Sequence, residues 1–526
     1  MMTRYLSKLA VASVTAATLL SAGCIGPAYV KPKVDTPTSF KESSEAAYAG
    51  ADPGAWRPAQ PQDSALKGKW WELFGEPELN ALEDQLNINN QNIAQFFQNF
   101  MAAREQVNIA RASYFPTLTT APSATRSHSS GALQNGVVGN TGATNTGGTG
   151  TTSTGGGGVG GGSGSTFNVF ELPFDVSWEP DLFGRIRNTV KQSRYAAQVS
   201  AADLENERLT EQAALAEFYF QLRGQDALQD LFNESIEAYR KSVELTKVLV
   251  ETGIDSPEDV AQAEVTLANA EANAVGVATN RAIYEHAIAT LVGKPASDFS
   301  MPVKVLTTSV PSIPVDIPSR LLERRPDVAA AERTMAEANA LIGVETAAWF
   351  PTLNLTAAGG FEATAVKNLF TVPARFWSIG ASASETIFDG GLRRATLRQY
   401  NAQFNADVAA YRQTVLIAFQ QVEDYVATVR VLSQQIDRQK AAVAAAQRFL
   451  DIAQTRYHTG IDPYLNVITA QTTLLSDQQT EVTLRVSEMT AAVQLIQALG
   501  GGWDTNQLPP ADEVTSRKVA NQLEHP

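Results

Sequence analysis

The chain repeats itself at low identity, and that repeat limits what it can fold into. Residues 110–118 (Ala-Arg-Ala-Ser-Tyr-Phe-Pro-Thr-Leu) return as residues 345–353 (Glu-Thr-Ala-Ala-Trp-Phe-Pro-Thr-Leu). Thr252-Gly253-Ile254-Asp255 returns as Thr459-Gly460-Ile461-Asp462. The offsets are 351 − 116 = 235 and 460 − 253 = 207 residues. They differ because the first copy carries an extra Gly/Ser/Thr tract, residues 129–166. A duplicated unit of about 200 residues is too long for a solenoid and points to two similar halves of one pseudo-symmetric body.

At 526 residues the chain could hold several domains, but the duplication argues for one intertwined body. Net charge is −14, and the acidic balance deepens once Arg4 and Lys8 are removed with a leader. Nucleic acid binding wants a basic surface, so it is not expected. Cys24 is the single cysteine, which leaves no intrachain disulfide and no thiolate metal cluster. His128, His286, His458 and His525 are scattered without metal-ligand spacing, so neither a metal nor a cofactor is expected.

Arg4 and Lys8 precede an apolar stretch, Leu9 to Leu20, and then Ser21-Ala22-Gly23-Cys24. This is the build of a secretory signal, residues 1–23. Cys24 after Ala-Gly resembles a bacterial lipobox, in which the cysteine takes diacylglycerol and N-acyl (palmitate-type) chains. Ile25 follows the cysteine in place of Asp, the pattern of cargo sent to the outer membrane. Several acyl chains anchor firmly, at about 0.8 kcal/mol per buried CH₂. Beyond the leader the chain lacks the ~18 consecutive apolar residues of a membrane helix, so any crossing must use strands.

Hydrophobic spacing predicts one helix over 77–112, with Leu79, Leu82, Leu86, Ile93, Phe96, Phe100 and Val107 recurring at helical intervals. Residues 186–251 and 391–459 are free of proline, and each would extend about 100 Å as a helix. Segments 257–292 and 464–499 read as return helices. Gly253 and Gly460 fit helix C-caps, and Pro257 and Pro463 fit the first turn of the next helix. Trp377 to Ser384 and Phe174 to Glu179 alternate at period two, as transmembrane barrel strands do. Phe115 to Leu118 and Phe350 to Thr356 would begin their partners. Tyr114, Phe115, Trp178, Trp349, Phe350 and Trp377 suit interfacial girdles.

Four strands cannot close a barrel, and an open edge is not tolerated in lipid, so the chain must oligomerise if these strands span a membrane. A dimer would supply eight strands and a filled lumen; a trimer would supply twelve and a conduit. The tract 129–166 reads as an exposed flexible loop, with residues 362–375 as its shorter counterpart. Its G-x-G-x-x-G match at Gly155, Gly157 and Gly160 lacks the strand-to-helix context of a phosphate loop. No nucleophile elbow and no H-E-x-x-H is present, and an enzyme is not expected. A lipid-anchored, non-channel envelope rod shares the leader and the helices but has no need for amphipathic strands.

Several pieces together carry a family resemblance: Gly26-Pro27-Ala28-Tyr29, Trp70-Trp71-Glu72-Leu73-Phe74 and Trp178-Glu179-Pro180-Asp181-Leu182-Phe183-Gly184-Arg185. They continue with Leu321-Leu322-Glu323-Arg324-Arg325-Pro326-Asp327-Val328, Phe388-Asp389-Gly390-Gly391 and Arg456-Tyr457-His458-Thr459-Gly460-Ile461-Asp462-Pro463-Tyr464. In order and spacing the chain resembles a TolC-like outer-membrane efflux protein (outer membrane factor) of the NodT/OprM-type lipoprotein branch. The resemblance implies a mixed α and β fold. It comprises a homotrimer with a twelve-strand membrane β-barrel, four strands per chain, continuous with a long periplasmic α-helical barrel. It further implies a gated channel, without chemistry of its own, that serves drug efflux and multidrug resistance. Its partners would be a periplasmic adaptor (membrane fusion) protein and an inner-membrane transporter of the resistance-nodulation-division type.

On this reading the chain divides into a signal peptide (1–23), an extended segment (24–70), a first repeat (71–300), a second repeat (301–500) and a tail (501–526). The resemblance places the periplasmic aperture and the adaptor contact at two turns. The first is Thr252, Gly253, Ile254 and Asp255; the second is Thr459, Gly460, Ile461 and Asp462, with Asn466 and Thr469 where relatives often carry aspartate. Asp462 would either line an acidic ring, which focuses cations, or cap the following helix. Arg324, Arg325, Pro326 and Asp327 read as a helix start, and Trp70 and Trp71 as packing anchors.

Overall fold

The computed structural model describes residues 26–34, 36–37, 39–42, 68–128, 166–253, 256–306, 308–311, 313 and 323–524. The leader, Cys24, Ile254, Asp255, Leu321 and Leu322 lie outside them, as does the Gly/Ser/Thr tract apart from Thr166. The chain forms two compact units, and each takes pieces of both copies. One comprises Arg111–Arg187 with Val344–Arg394; the other comprises Gly26–Ala110, Asn188–Gly343 and Ala395–Pro526.

The first unit is an antiparallel sheet. Its strands are β1 (Thr117–Thr119), β2 (Ser123–His128), β3 (Thr166–Trp178), β4 (Thr352–Ala363) and β5 (Arg375–Ser384), with β1 and β2 both on β3, β3 on β4, and β4 on β5. The expected first strand is thus present but broken before Ser123, where Pro122 cannot donate to the ladder. Thr120 instead donates through Oγ1 to the Pro173 carbonyl at 2.7 Å. Three loop boundaries need correction. Thr166 already pairs with His128, β4 runs on to Ala363, past the expected loop start at Glu362, and Arg375, the expected loop end, already opens β5 opposite Phe361. All are held by cross-strand partners, which a local pattern does not reveal.

The register sorts the sheet into two faces. Leu172, Phe174, Val176 and Trp178 share one face with Phe361, Gly359, Ala357 and Leu355, and further on with Trp377 and Ile379. Glu171, Asp175 and Ser177 share the other with Glu362, Ala358, Thr356, Asn354 and Ser382. Trp377 is 78% and Ile379 80% exposed, an apolar face that water does not reward. Strands of 10 to 13 residues match the length needed to cross a bilayer at a tilt. In this chain β5 and the β1/β2 strand are the sheet's outer members.

The second unit is helical. α1 spans Pro77–Asn89, α2 Gln91–Ala112, α3 Arg185–Glu251, α4 Pro257–Leu291, α5 Pro326–Ala347, α6 Leu392–His458, α7 Tyr464–Ala498 and α8 Arg517–Glu524. The duplication is exact in length: α3 and α6 have 67 residues each, α4 and α7 have 35, α2 and α5 have 22. The single helix expected over 77–112 is two. Asn90 leaves helical conformation, and its Oδ1 accepts from the amides of Asn92 and Ile93 at 2.9 and 3.0 Å, capping α2. Its Nδ2 is held by Glu211 and by the Leu291 carbonyl, so tertiary contacts decide the break.

Trp70 and Trp71 are 1% and 3% exposed and pack with Phe74, Leu79, Tyr219 and Phe220, as anchors should. Arg325 grips Asp327 through two bonds of 2.6 and 3.0 Å and donates to the Ala498 carbonyl at the end of α7. The Arg-Pro-Asp start of α5 is therefore also a clamp on α7.

One side chain violates the pattern around it. Glu83 lies on the buried face of α1 with Leu79, Leu82 and Leu86, is fully buried, and neither carboxylate oxygen has a hydrogen-bond partner among the described residues. Burial pushes its carboxyl well above the usual range. The folded state keeps Glu83 neutral while the unfolded chain ionises it, so folding is penalised at every pH above the ordinary Glu value of about 4.3. Glu83→Leu is expected to stabilise the protein by about 1–3 kcal/mol at pH 7. The gain should shrink as pH falls through and below that ordinary value, which thermal unfolding at several pH values would read.

Candidate functional site

The two long helical hairpins of the second unit end in turns built on the same plan. At the second, Thr459 Oγ1 caps back to the carbonyls of Thr455 and Arg456, both at 3.0 Å. Gly460 then takes φ 73°, the left-handed region where a side chain would be strained. Its amide reaches the Tyr457 carbonyl at 2.9 Å, and the Ile461 amide reaches that of Arg456 at 2.9 Å. This pair of bonds is a Schellman motif, which satisfies the carbonyls a helix end leaves free. At the first turn Thr252 Oγ1 bonds the carbonyls of Val248 and Leu249, and Gly253 has φ 76°.

The return helices start differently. Ser256 and Asp259 form a reciprocal capping box around Pro257, the first residue of α4. α7 begins at Tyr464, so Pro463 is its N-cap and offers no side-chain cap; the expected placement is one residue out. Asp462 does not cap α7 as an N-cap either. Its carboxylate meets Arg456 in a two-point ion pair, 2.6 Å from Nε and 2.9 Å from Nη2. The Arg456 guanidinium holds the Asp462 carboxyl below its ordinary range, so it stays ionised at neutral pH. The acid identified from the sequence thus carries its own counter-charge, six residues back on α6.

Asn466 sits one turn into α7, its amide donating to the Pro463 carbonyl at 3.1 Å. Thr469 is exposed and its hydroxyl returns to the Leu465 carbonyl at 2.8 Å. Ile461 and Leu465 are 62% and 55% exposed, an apolar pair on the outside of the second turn. Ile254 and Asp255 of the first turn lie outside the described residues.

The hairpins pack side by side behind these turns. Val243 and Ala263 of the first form one buried cluster with Ala453, Tyr457, Tyr464, Val467 and Ala470 of the second. The Tyr457 and Tyr464 rings lie 5.2 Å apart, closing the second hairpin on itself. Deeper in, Tyr239 donates to the Gln471 carbonyl at 3.2 Å, and Gln471 Nε2 donates to Ser242 Oγ at 3.0 Å. Burial pushes the Tyr239 phenol up to about 12, so it remains a donor. Arg456 stands in the motif read from the sequence, but its pairing with Asp462 was not read there, and Tyr239 and Gln471 were not identified as part of this region. A basic residue six positions before an acid across a Gly turn was the one available signal.

Comparison with known proteins follows the same architecture. Residues 82–294 and 317–501, more than half of the chain, match the outer membrane efflux protein family. The toluene efflux pump outer membrane protein TtgC of Pseudomonas putida is 30% identical over 453 residues, 85% of this chain and 88% of TtgC. The pyoverdine export outer membrane protein OpmQ of Pseudomonas aeruginosa is 26% identical over 460 residues, 87% of this chain and 92% of OpmQ. The solved structure of the outer-membrane channel OprN superposes with a TM-score of 0.78 at 27% identity, covering 91% of this chain and 99% of OprN. With two repeats matched in sequence and the sheet and paired hairpins matched in structure, the chain belongs to the outer membrane efflux protein family.

Proposed function

We propose that the protein is a homotrimeric, passive export conduit of a tripartite efflux system. Each copy gives four strands to a twelve-strand barrel in the outer membrane, and the helical hairpins of three copies form a barrel in the periplasm. The observation that carries this reading is the sheet: four strands wide, polar on one face, apolar and exposed on the other. Such a sheet cannot stand alone in lipid, because its edges need partners. Three copies close the barrel around a lumen wide enough to conduct.

Lipid on Cys24 would anchor each copy, and no resident cofactor is required for passive flow. The hairpin turns would form the periplasmic aperture and meet a periplasmic adaptor, through which an inner-membrane pump of the resistance-nodulation-division type supplies the energy. Relatives named for toluene efflux and pyoverdine export support small organic molecules, drugs among them, as cargo.

Single-channel conductance of the lipidated protein in planar bilayers, with its oligomeric mass, tests this. A trimer with rare, small openings is the expected result; a monomer that never conducts would favour an envelope rod. The same assay reads the second turn. Arg456→Ala removes the counter-charge from three copies of Asp462, and cation over anion permeability should rise on the order of tenfold at low salt. The rise should fade as ionic strength grows. An unchanged ratio would place the pair off the ion path.

A further inference from the structure

The described residues between 26 and 42 (26–34, 36–37 and 39–42) lie on two helices of the second unit and are fastened to both. On α5, Asn339 Nδ2 donates to the Pro27 carbonyl at 3.0 Å and Tyr29 donates to the Glu332 carbonyl at 3.4 Å. Lys31 Nζ reaches the buried Glu332 carboxylate at 3.0 Å. On α6, Phe40 is 2% exposed and meets the Phe419 ring edge-on at 6.4 Å. The amides of Lys41 and Glu42 donate to the two oxygens of Glu423 at 2.7 and 2.9 Å, and Glu42 pairs with Arg430.

Phe419, Glu423 and Arg430 follow i, i+4, i+11 spacing, so the strap grips one face of α6. A segment that only joined an anchor to the body could leave its backbone amides to water. This one engages a carboxylate, an ion pair and a buried aromatic ring, and ties α5 to α6. α6 runs unbroken from these contacts to His458, next to the Gly460 turn, about 55 Å away at 1.5 Å per residue. A helix held in rotation at Glu423 presents its far end in a fixed direction. Phe40 belongs to the buried core of the helical unit, but the rest of the grip on α6 is polar and can be weakened by substitution at Glu42, Glu423 or Arg430.

We propose that the strap restrains α6 and biases the aperture toward its closed state, so that releasing it favours opening. The inference rests on the channel reading above. Its test uses the lipidated, full-length protein in planar bilayers, beside hydrogen exchange over residues 26–42. In Glu423→Gln/Arg430→Ala, the strap amides should exchange faster, and the open-to-closed ratio should rise by roughly 5- to 150-fold, the ordinary range of coupling. Arg430→Lys should recover part of the closed bias. Should the double variant fail to assemble, Glu42→Ala, which leaves α6 intact, carries the same expectation. Faster exchange with gating unchanged from wild type would overturn the proposal while leaving the channel standing. A wild-type protein that never conducts would remove the channel reading, and this inference with it.

Discussion

Asp226→Ala is expected to cost the folded protein about 3–5 kcal/mol, because it strips the shared acid from two arginines in the interior. Asp226 is 1% exposed on α3. Its Oδ2 accepts from Arg223 at 2.9 Å and from the Lys304 amide at 3.0 Å, and its Oδ1 accepts from Arg281 of α4 at 2.7 Å. Arg223 keeps Glu78 and the Pro302 carbonyl, and Arg281 keeps Glu285 and the Met301 carbonyl. Those remaining partners place the loss within the range for a broken buried pair and not beyond it. Asp226→Asn keeps an acceptor and the shape, and should lose less. Denaturant unfolding of the purified protein compares the two. A loss below about 1 kcal/mol for the alanine variant would mean that the cluster is not fastening α3, α4 and residues 301–304 together.

The helices were legible because proline and glycine punctuate them. α3, α4, α6 and α7 begin and end within a residue of where Pro257, Gly253, Gly460 and the proline-free runs placed them. The break at Asn90 was not, since Leu86 and Ile93 continue the apolar spacing across it and the decision lies with Glu211 and Leu291, far along the chain. Strand β2 was equally hidden. Ser-Ala-Thr-Arg-Ser-His has no apolar alternation, and it is a strand because β3 offers it a ladder.

At the hairpin turns the residue types were legible and their pairing was not. Thr-Gly-Ile-Asp announces a left-handed glycine, and the Schellman bonds of Gly460 follow from it. That Asp462 turns back to Arg456 depends on the path of the turn, which no spacing rule states. The strap was less accessible still. Its contacts join residues 42 and 430, or 31 and 332, separations over which sequence pattern carries no signal.

On the proposed trimeric barrel, Gly360→Ala is expected to abolish assembly in the membrane, while Gly359→Ala, one residue away, is expected to be tolerated. Gly360 on β4 faces Pro173 on β3. A β-carbon there would stand 2.2 Å from the Leu172 carbonyl oxygen and 2.9 Å from the Pro173 α-carbon, both main-chain atoms that no rotamer change can move. The strands would have to part at a rung that already lacks a donor, because proline has none. In water each lost ladder bond costs about 1 kcal/mol, but in lipid each unsatisfied group costs several. A separation spreading over two or three rungs would therefore exceed what a four-strand unit can absorb. At Gly359 the same β-carbon would lie 3.7 Å from the Phe376 carbonyl oxygen and 3.9 Å from Trp377 Cβ, ordinary contact distances. Trimer recovered from outer membranes, resolved without boiling on a denaturing gel, reads both variants against wild type. The alanine at 360 should lower the yield by about tenfold or more, which needs only about 1.4 kcal/mol. Equal yields at both positions would mean that β3 and β4 do not keep this register in the assembled barrel.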